Sequence, residues 1–449
     1  MNSYVDKAGS YSALKYPQKV GRVNIADNFG SIRSGIWVYL ILLIFEGALR
    51  KWVLPGLAGP LLIIRDPVAI WILFMAWQQD IFPSNKFVNV IAGVCVLSLI
   101  TTMVIGHGNI VVAIYGARIL LIHFPLIFVI SRVLTRKDIL EFGKILMWIS
   151  IPMTILMGLQ FYTPQSSLVN RSVGGGAEGA GFSGALGYFR PSGTFSFTNG
   201  LSLFYNLVGC YVVYFWVRTG KVNTVLLIAA TFALIISIPL SISRLLLFQL
   251  VLTLAFAVSY IVRKPQNIGK AVFIAVVGFA AMALVSNLSF FQTATDALSA
   301  RLDNAADSEG GLRGTLVDRF LGGLASAIQD TGETPFFGFG LGMGTNAGAQ
   351  LVKGDRAFLI SEGEWGRLVG EMGLALGLTA IIVRLLLCFR MLVKSFKILK
   401  TDDLLPWLFV SFSLLLVGQG QWAQPTNLGF STFVGGITIA AIRTGGKQA

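Results

Sequence analysis

Long apolar runs separated by short polar connections recur at roughly 35–54, 57–77, 87–105, 110–130, 139–160, 196–217, 222–240, 245–262, 270–290, 364–389, 404–422 and 427–443. Each is near the about 20 helical residues needed to cross a bilayer. A lipid interior cannot satisfy open backbone groups, so each run is expected to be a helix. The pattern therefore predicts an all-α polytopic membrane protein with about 12 transmembrane helices.

Two hydrophilic intervals interrupt the series. The expected order is a tail at 1–34, helices 1–5 over 35–160, a first loop at 161–195 and helices 6–9 over 196–290. A large loop at 291–363 then separates the ninth and tenth helices, followed by helices 10–12 over 364–443 and a tail at 444–449. The other connections are short, which predicts antiparallel neighbours. No internal repeat is evident, which weighs against an inverted-repeat transporter. The first 33 residues are polar without an apolar signal core, so the first span is expected to direct insertion.

Lysine bias sets the expected orientation. With the N-terminus inside, 12 lysines fall in cytoplasmic segments, against Lys51 and Lys353 outside. Both termini are then cytoplasmic and both long loops periplasmic. Arginine divides evenly: Arg50, Arg171, Arg190, Arg244, Arg301, Arg313, Arg319 and Arg356 all fall outside. A planar guanidinium suits bidentate binding of phosphate or carboxylate. The outer arginines thus fit an anionic ligand, or ion pairing within the acidic second loop.

Composition agrees with the pattern. The 449 residues are 55% hydrophobic and 12% charged, about half the charge of an ordinary soluble domain. The net charge of +14 is dispersed over connections, with no basic tract interleaved with aromatics, so nucleic acid is not an expected partner. Cys95, Cys210 and Cys388 all lie in apolar runs, and His107 and His123 are the only histidines. Neither a disulfide framework nor a multi-histidine metal site is expected, and no cofactor is indicated.

Several polar groups stand at the expected outer boundary. In Arg190-Pro-Ser-Gly-Thr-Phe-Ser-Phe-Thr-Asn199, Ser192, Thr194 or Ser196 is placed to cap the following helix, and a helix start beside an arginine favours anions. Ser241-Ile-Ser-Arg244 occupies a very short outer turn; Arg244 is either functional or snorkels to the headgroups. The second loop holds Arg313, Arg319, the glycine-rich Pro335-Phe-Phe-Gly-Phe-Gly-Leu-Gly-Met-Gly344 and Ser361-Glu-Gly-Glu-Trp365. That glycine run lacks the strand–helix setting of a dinucleotide site. Glu362 and Glu364 suit a helix N-terminus or, on the chemical reading, a general base. Glu46 with Arg50, Arg65 with Asp66, and Arg367 with Glu371 are read as structural ion pairs. Arg118 and His123 are read as core or cavity groups.

In this order the pieces resemble the O-antigen polymerase and ligase superfamily. The matching residues are Arg190-Pro-Ser-Gly-Thr-Phe with Asn199, Ser241-Ile-Ser-Arg244, Pro335-Phe-Phe-Gly-Phe-Gly-Leu-Gly342 and Glu371-Met-Gly-Leu374. Glu46-Gly-Ala-Leu-Arg-Lys-Trp-Val-Leu-Pro55 with Arg65-Asp66-Pro67 looks like an exopolysaccharide-cluster branch. The resemblance implies an inner-membrane glycosyltransferase, inverting and metal-independent, working at the periplasmic face. Its donor would be a glycan on undecaprenyl diphosphate, with a second lipid-linked glycan, or a lipid or protein in the ligases, as acceptor. A chain-length regulator is a further expected partner. Arg190 and Arg244 would bind the diphosphate, and the same role is extended to Arg313 and Arg319. Where the family commonly has His-Asn before the Glu-x-Gly-Leu motif, this chain has Glu362-Gly363. Glu362 is therefore the candidate base, and the departure favours polymerase over ligase. A twelve-helix transporter is the alternative from another class.

Overall fold

A computed structural model describes residues 29–218, 220–263, 269, 288–309, 335–345, 348, 360–361 and 363–445. Among them the secondary structure is helical, with one isolated antiparallel bridge, Ser183 with Phe189. The helices are α1 Gly30–Ala48, α2 Arg65–Gln78, α3 Lys86–Val104, α4 Ile110–Arg118, α5 Phe124–Val133, α6 Arg136–Tyr162 and α7 Thr198–Val217. They continue as α8 Thr224–Ser241, α9 Arg244–Ile261, α10 Ser289–Glu309, α11 Glu364–Ile398, α12 Leu405–Gln419 and α13 Pro425–Thr444.

Nine of the described helical segments are long and apolar enough to cross a membrane. Large apolar side chains such as Val96, Leu97, Val104, Ile155 and Phe389 stay exposed on them, an arrangement suited to lipid rather than water. The protein is a multi-pass membrane protein. α7 is the central helix, 89% of its apolar window being buried against 33% for the peripheral α3. Residues 270–287 of the expected span at 270–290 lie outside the described residues, and its last two residues begin α10.

Polar residues set the helix starts. Asn85 accepts from the amides of Phe87 and Val88, Asn109 from Val111 and Val112, and Asn223 from Val225. Thr135 and Asp138 form a reciprocal capping box at α6. Two spans carry a wide π turn: Leu49–Val53 extends α1, and Ile119–His123 joins α4 to α5.

Part of the interval read as a loop is helical. α10 packs on α8 and α9, burying Ala294, Ala297 and Leu298.

α11 reverses direction at Gly373, whose φ of 75° and ψ of 169° are not helical. A Cβ on Gly377 would lie 2.7 Å from the Cα of Val369, so the arms before and after the reversal run side by side. Glu364 and Arg384 would be about 30 Å apart on a straight helix. Instead their side chains meet at 2.5 Å.

Candidate functional site

The stretch after Arg190 does not cap α7 with its hydroxyls, as the sequence suggested. α7 starts after Phe197 without a side-chain cap. The hydroxyls serve a longer-range union with the end of α1. Ser196 Oγ donates to Glu46 Oε1 at 3.1 Å and accepts from Arg50 Nη1 at 2.9 Å, while Arg50 Nη1 also donates to Glu46 Oε1 at 2.8 Å. Thr194 Oγ1 donates to the Ile44 carbonyl at 2.6 Å. The buried amine of Lys51 donates to Ser192 Oγ at 2.6 Å and the Gly193 carbonyl at 3.2 Å. Gln160 at the end of α6 accepts from the Gly193 amide at 2.7 Å. The turn holding Arg190 is thus fastened by two helices and a sequence-remote lysine.

The turn between α8 and α9 is held just as firmly. Ile242 has φ 45° and ψ 40°, a left-handed conformation costly for a β-branched residue and characteristic of strained functional turns. Ser243 caps α9 through the Leu246 amide and shares a 2.8 Å hydrogen bond with Ser202 of α7. Arg244 consequently begins α9, where the helix dipole disfavours a cation and favours an anion.

The charges of Arg190, Arg244 and Arg301 act on one another here. Each of the other two charges depresses the pKa of Arg190, which burial chiefly pushes down to about 10. Burial, then the Arg244 charge, lowers Arg301 too. Arg301 of α10 is held by a 3.2 Å donation from Nη1 to the Ser183 carbonyl. The Arg190 Nε is buried and has no hydrogen-bond partner among the described residues. Three mutually repelling guanidinium groups and an orphaned N–H favour binding of a multiply charged oxyanion.

The glycine-rich segment plugs into the bundle from Gly340 onward, while Pro335, Phe336, Phe337 and Phe339 remain exposed. Phe339 N donates to the Gly370 carbonyl at 2.8 Å and Gly340 N to the Glu371 carbonyl at 3.0 Å, occupying acceptors just before the reversal of α11. Leu341 N donates to Thr102 Oγ1 at 2.8 Å, and His107 Nε2 meets the Leu341 carbonyl at 3.2 Å. Gly342 packs so tightly on the Val112 carbonyl that no side chain fits.

Below the plug lies a buried network. Glu364 receives Arg367 Nε and Nη2 at 3.0 and 2.9 Å, Arg384 Nη1 at 2.5 Å and the Trp422 amide at 2.9 Å. Glu371 receives Arg367 Nη1 at 2.7 Å and the Gly344 amide at 2.9 Å. Both carboxylates are committed to cations, so this network is structural and Glu364 is not a free base.

A second buried cluster differs from the expected pairing. Arg65 and Asp66 do not bond to each other. Asp66 bonds to Arg118 at 2.5 Å and His123 at 3.0 Å, and His123 Nδ1 meets Tyr39 Oη at 3.1 Å. Arg65 instead donates to the Pro425 carbonyl at 2.5 Å, and among the described residues it has no carboxylate partner. At the start of a helix Asp66 points away from its neighbour, and tertiary packing chooses its partners.

Glu362, Arg313 and Arg319 lie outside the described residues. From the sequence Arg301 and Lys51 stood out only as outer cations, and Gln160 and Arg384 not at all. For Arg301 a signal existed: Ala294, Ala297, Leu298 and Leu302 repeat at helical spacing, with Arg301 on the edge of that stripe. No group of three or more histidine, cysteine, aspartate or glutamate side chains among the described residues is arranged to hold a metal ion. No family model matches the chain, and no curated protein matches it either.

Proposed function

We propose that this protein is a polysaccharide polymerase of the bacterial inner membrane. It joins undecaprenyl-diphosphate-linked repeat units at the periplasmic face by inverting, metal-independent glycosyl transfer. Twelve crossings are reached by adding α12, α13 and the apolar stretch at 270–290 to the nine long apolar segments. The lysine distribution puts both termini in the cytoplasm and the arginine cluster in the periplasm.

The observation that carries the reading is the convergence of Arg190, Arg244 and Arg301, with Arg190 Nε lacking a partner among the described residues. In the reaction an acceptor hydroxyl oxygen attacks the anomeric carbon while the bond from that carbon to the diphosphate oxygen breaks. The hydroxyl proton passes to a base, for which Glu362 is the candidate, and negative charge builds on the departing diphosphate. Guanidinium groups already in place stabilise that charge without reorganisation. Arg313 and Arg319 are candidates for the same anion.

The test uses purified protein in detergent with a radiolabelled undecaprenyl-diphosphate repeat unit and no ion gradient. Polymer should form and lengthen with time, and Arg190→Ala and Glu362→Gln should abolish it without changing protein yield. Full-length product from both variants would reject the assigned site. Lipid profiling of a deletion strain separates the ligase: single lipid-linked repeats mark a lost polymerase, long lipid-linked chains a lost ligase.

A further inference from the structure

At the end of the bundle remote from the arginine cluster lies a cavity of about 590 Å³, within the range typical of ligand sites. Its position follows from α13. The start of α13 meets the start of α7 through Asn199 Nδ2 donating to Asn427 Oδ1 at 2.8 Å, while Arg443 near its other end lines the cavity. Twenty helical residues place the two ends about 30 Å apart.

The cavity lining contains five cations, Arg132, Arg390, Lys394, Lys397 and Arg443, and no carboxylate. Among the described residues none of the five forms an ion pair. Two are fixed: Arg443 Nε donates to the Ser131 carbonyl at 2.9 Å and Arg132 Nη1 to the Ile81 carbonyl at 2.9 Å. The others project from the last turns of α11, with Arg390 over the Phe87 ring at 5.8 Å. Behind this basic rim the wall is apolar, formed by Phe128, Met391, Ile439 and Ile442. Like charges gathered around an apolar recess repel one another until an amphiphilic anion fills the site.

We propose that this cavity binds an anionic glycerophospholipid of the adjoining leaflet. The phosphate is held between the anchored arginines and the cationic side chains of α11, and an acyl chain lies against Phe128 and Ile442. Basic recesses between transmembrane helices on the cytoplasmic side recognise anionic headgroups in this way.

The experiment measures thermal unfolding of the full chain in a zwitterionic detergent, titrated with phosphatidylglycerol, phosphatidylcholine or soluble glycerol phosphate. Phosphatidylglycerol alone should raise the midpoint. The triple variant Arg390→Gln, Lys394→Gln, Lys397→Gln should weaken its apparent affinity about a hundredfold. A control with equal charge loss elsewhere, Lys137→Gln, Lys144→Gln, Lys221→Gln, should keep wild-type affinity. Ile442→Trp retains all five charges and fills the recess, and it too should lose the effect. Equal responses to phosphatidylcholine, equal losses in the control, or a response to glycerol phosphate alone would each overturn the proposal. Should the triple variant not fold, wild-type affinity in Ile442→Trp overturns it independently.

Discussion

Gly47 stands against the backbone of Thr194 so closely that an added Cβ would lie 2.5 Å from the Thr194 carbonyl oxygen. The contact joins the first span to the turn carrying Arg190, although 147 positions separate the two residues (194 − 47). Alanine in a helix normally gains about 1 kcal/mol over glycine. Here backbone must move, and overpacking of this kind costs about 1–3 kcal/mol. Gly47→Ala should lower the thermal unfolding midpoint and reduce polymer. Gly93→Ala, where nothing lies within 4 Å, should leave both unchanged or slightly raise stability. Equal behaviour of the two variants would refute the interlock.

Arg244→Ala and Arg301→Ala should each reduce turnover about 10²–10³-fold, the scale of losing one group that stabilises developing charge. Lysine should restore only part of it, because an ammonium lacks the planar fork. The measurement is initial polymerisation rate at matched protein level. An Arg301→Ala variant with full rate would remove α10 from the site.

Donor binding should depend on pH in an unusual window. Burial and the neighbouring guanidinium charges push the Arg190 pKa below its ordinary value to about 10, so its charge is lost in the folded protein as pH rises through about 10. Between those values the unfolded chain binds more protons at this position, so the repulsive cost is present in full below pH 10 and fades above it. Anion affinity moves the opposite way, because only the charged form attracts diphosphate. Titration of donor affinity from pH 7 to 11 should show weakening near pH 10, and Arg190→Ala should abolish that inflection.

Glu364→Gln leaves Arg384 without a carboxylate in the interior. Breaking a buried pair from one side costs about 3–5 kcal/mol. Adding Arg384→Met should recover part of the loss, a non-additivity expected of residues in direct contact. Unfolding midpoints of the two single variants and the double variant provide the comparison; strict additivity would contradict the observed network.

The positions of most long helices could be read from hydropathy, because a span that satisfies its own backbone advertises itself by length and composition. Glu46 with Arg50 and Arg367 with Glu371 were readable for a similar reason, since a helix brings residues four apart onto one face. The partners of Asp66 were not. Arg118 and His123 reach it from another span, and nothing in local spacing encodes that choice. α10 was hidden by its mixed polar composition, and the reversal at Gly373 by an apolar run that continues straight through it. The hydroxyls of Ser192, Thr194 and Ser196 looked like caps because local rules place caps before helices, whereas α1 competes for them across the fold.

The glycine-rich plug bears on how the chain is threaded. Gly373 packs directly on the Phe336 carbonyl, so the polypeptide stands at one depth at both positions. The chain therefore leaves and returns at the same level of the bundle, and the first arm of α11 is expected to be re-entrant. That arm leaves the parity of the crossings untouched. An impermeant thiol reagent should therefore label cysteines placed just before Pro335 and at Leu374 from the same side of the membrane.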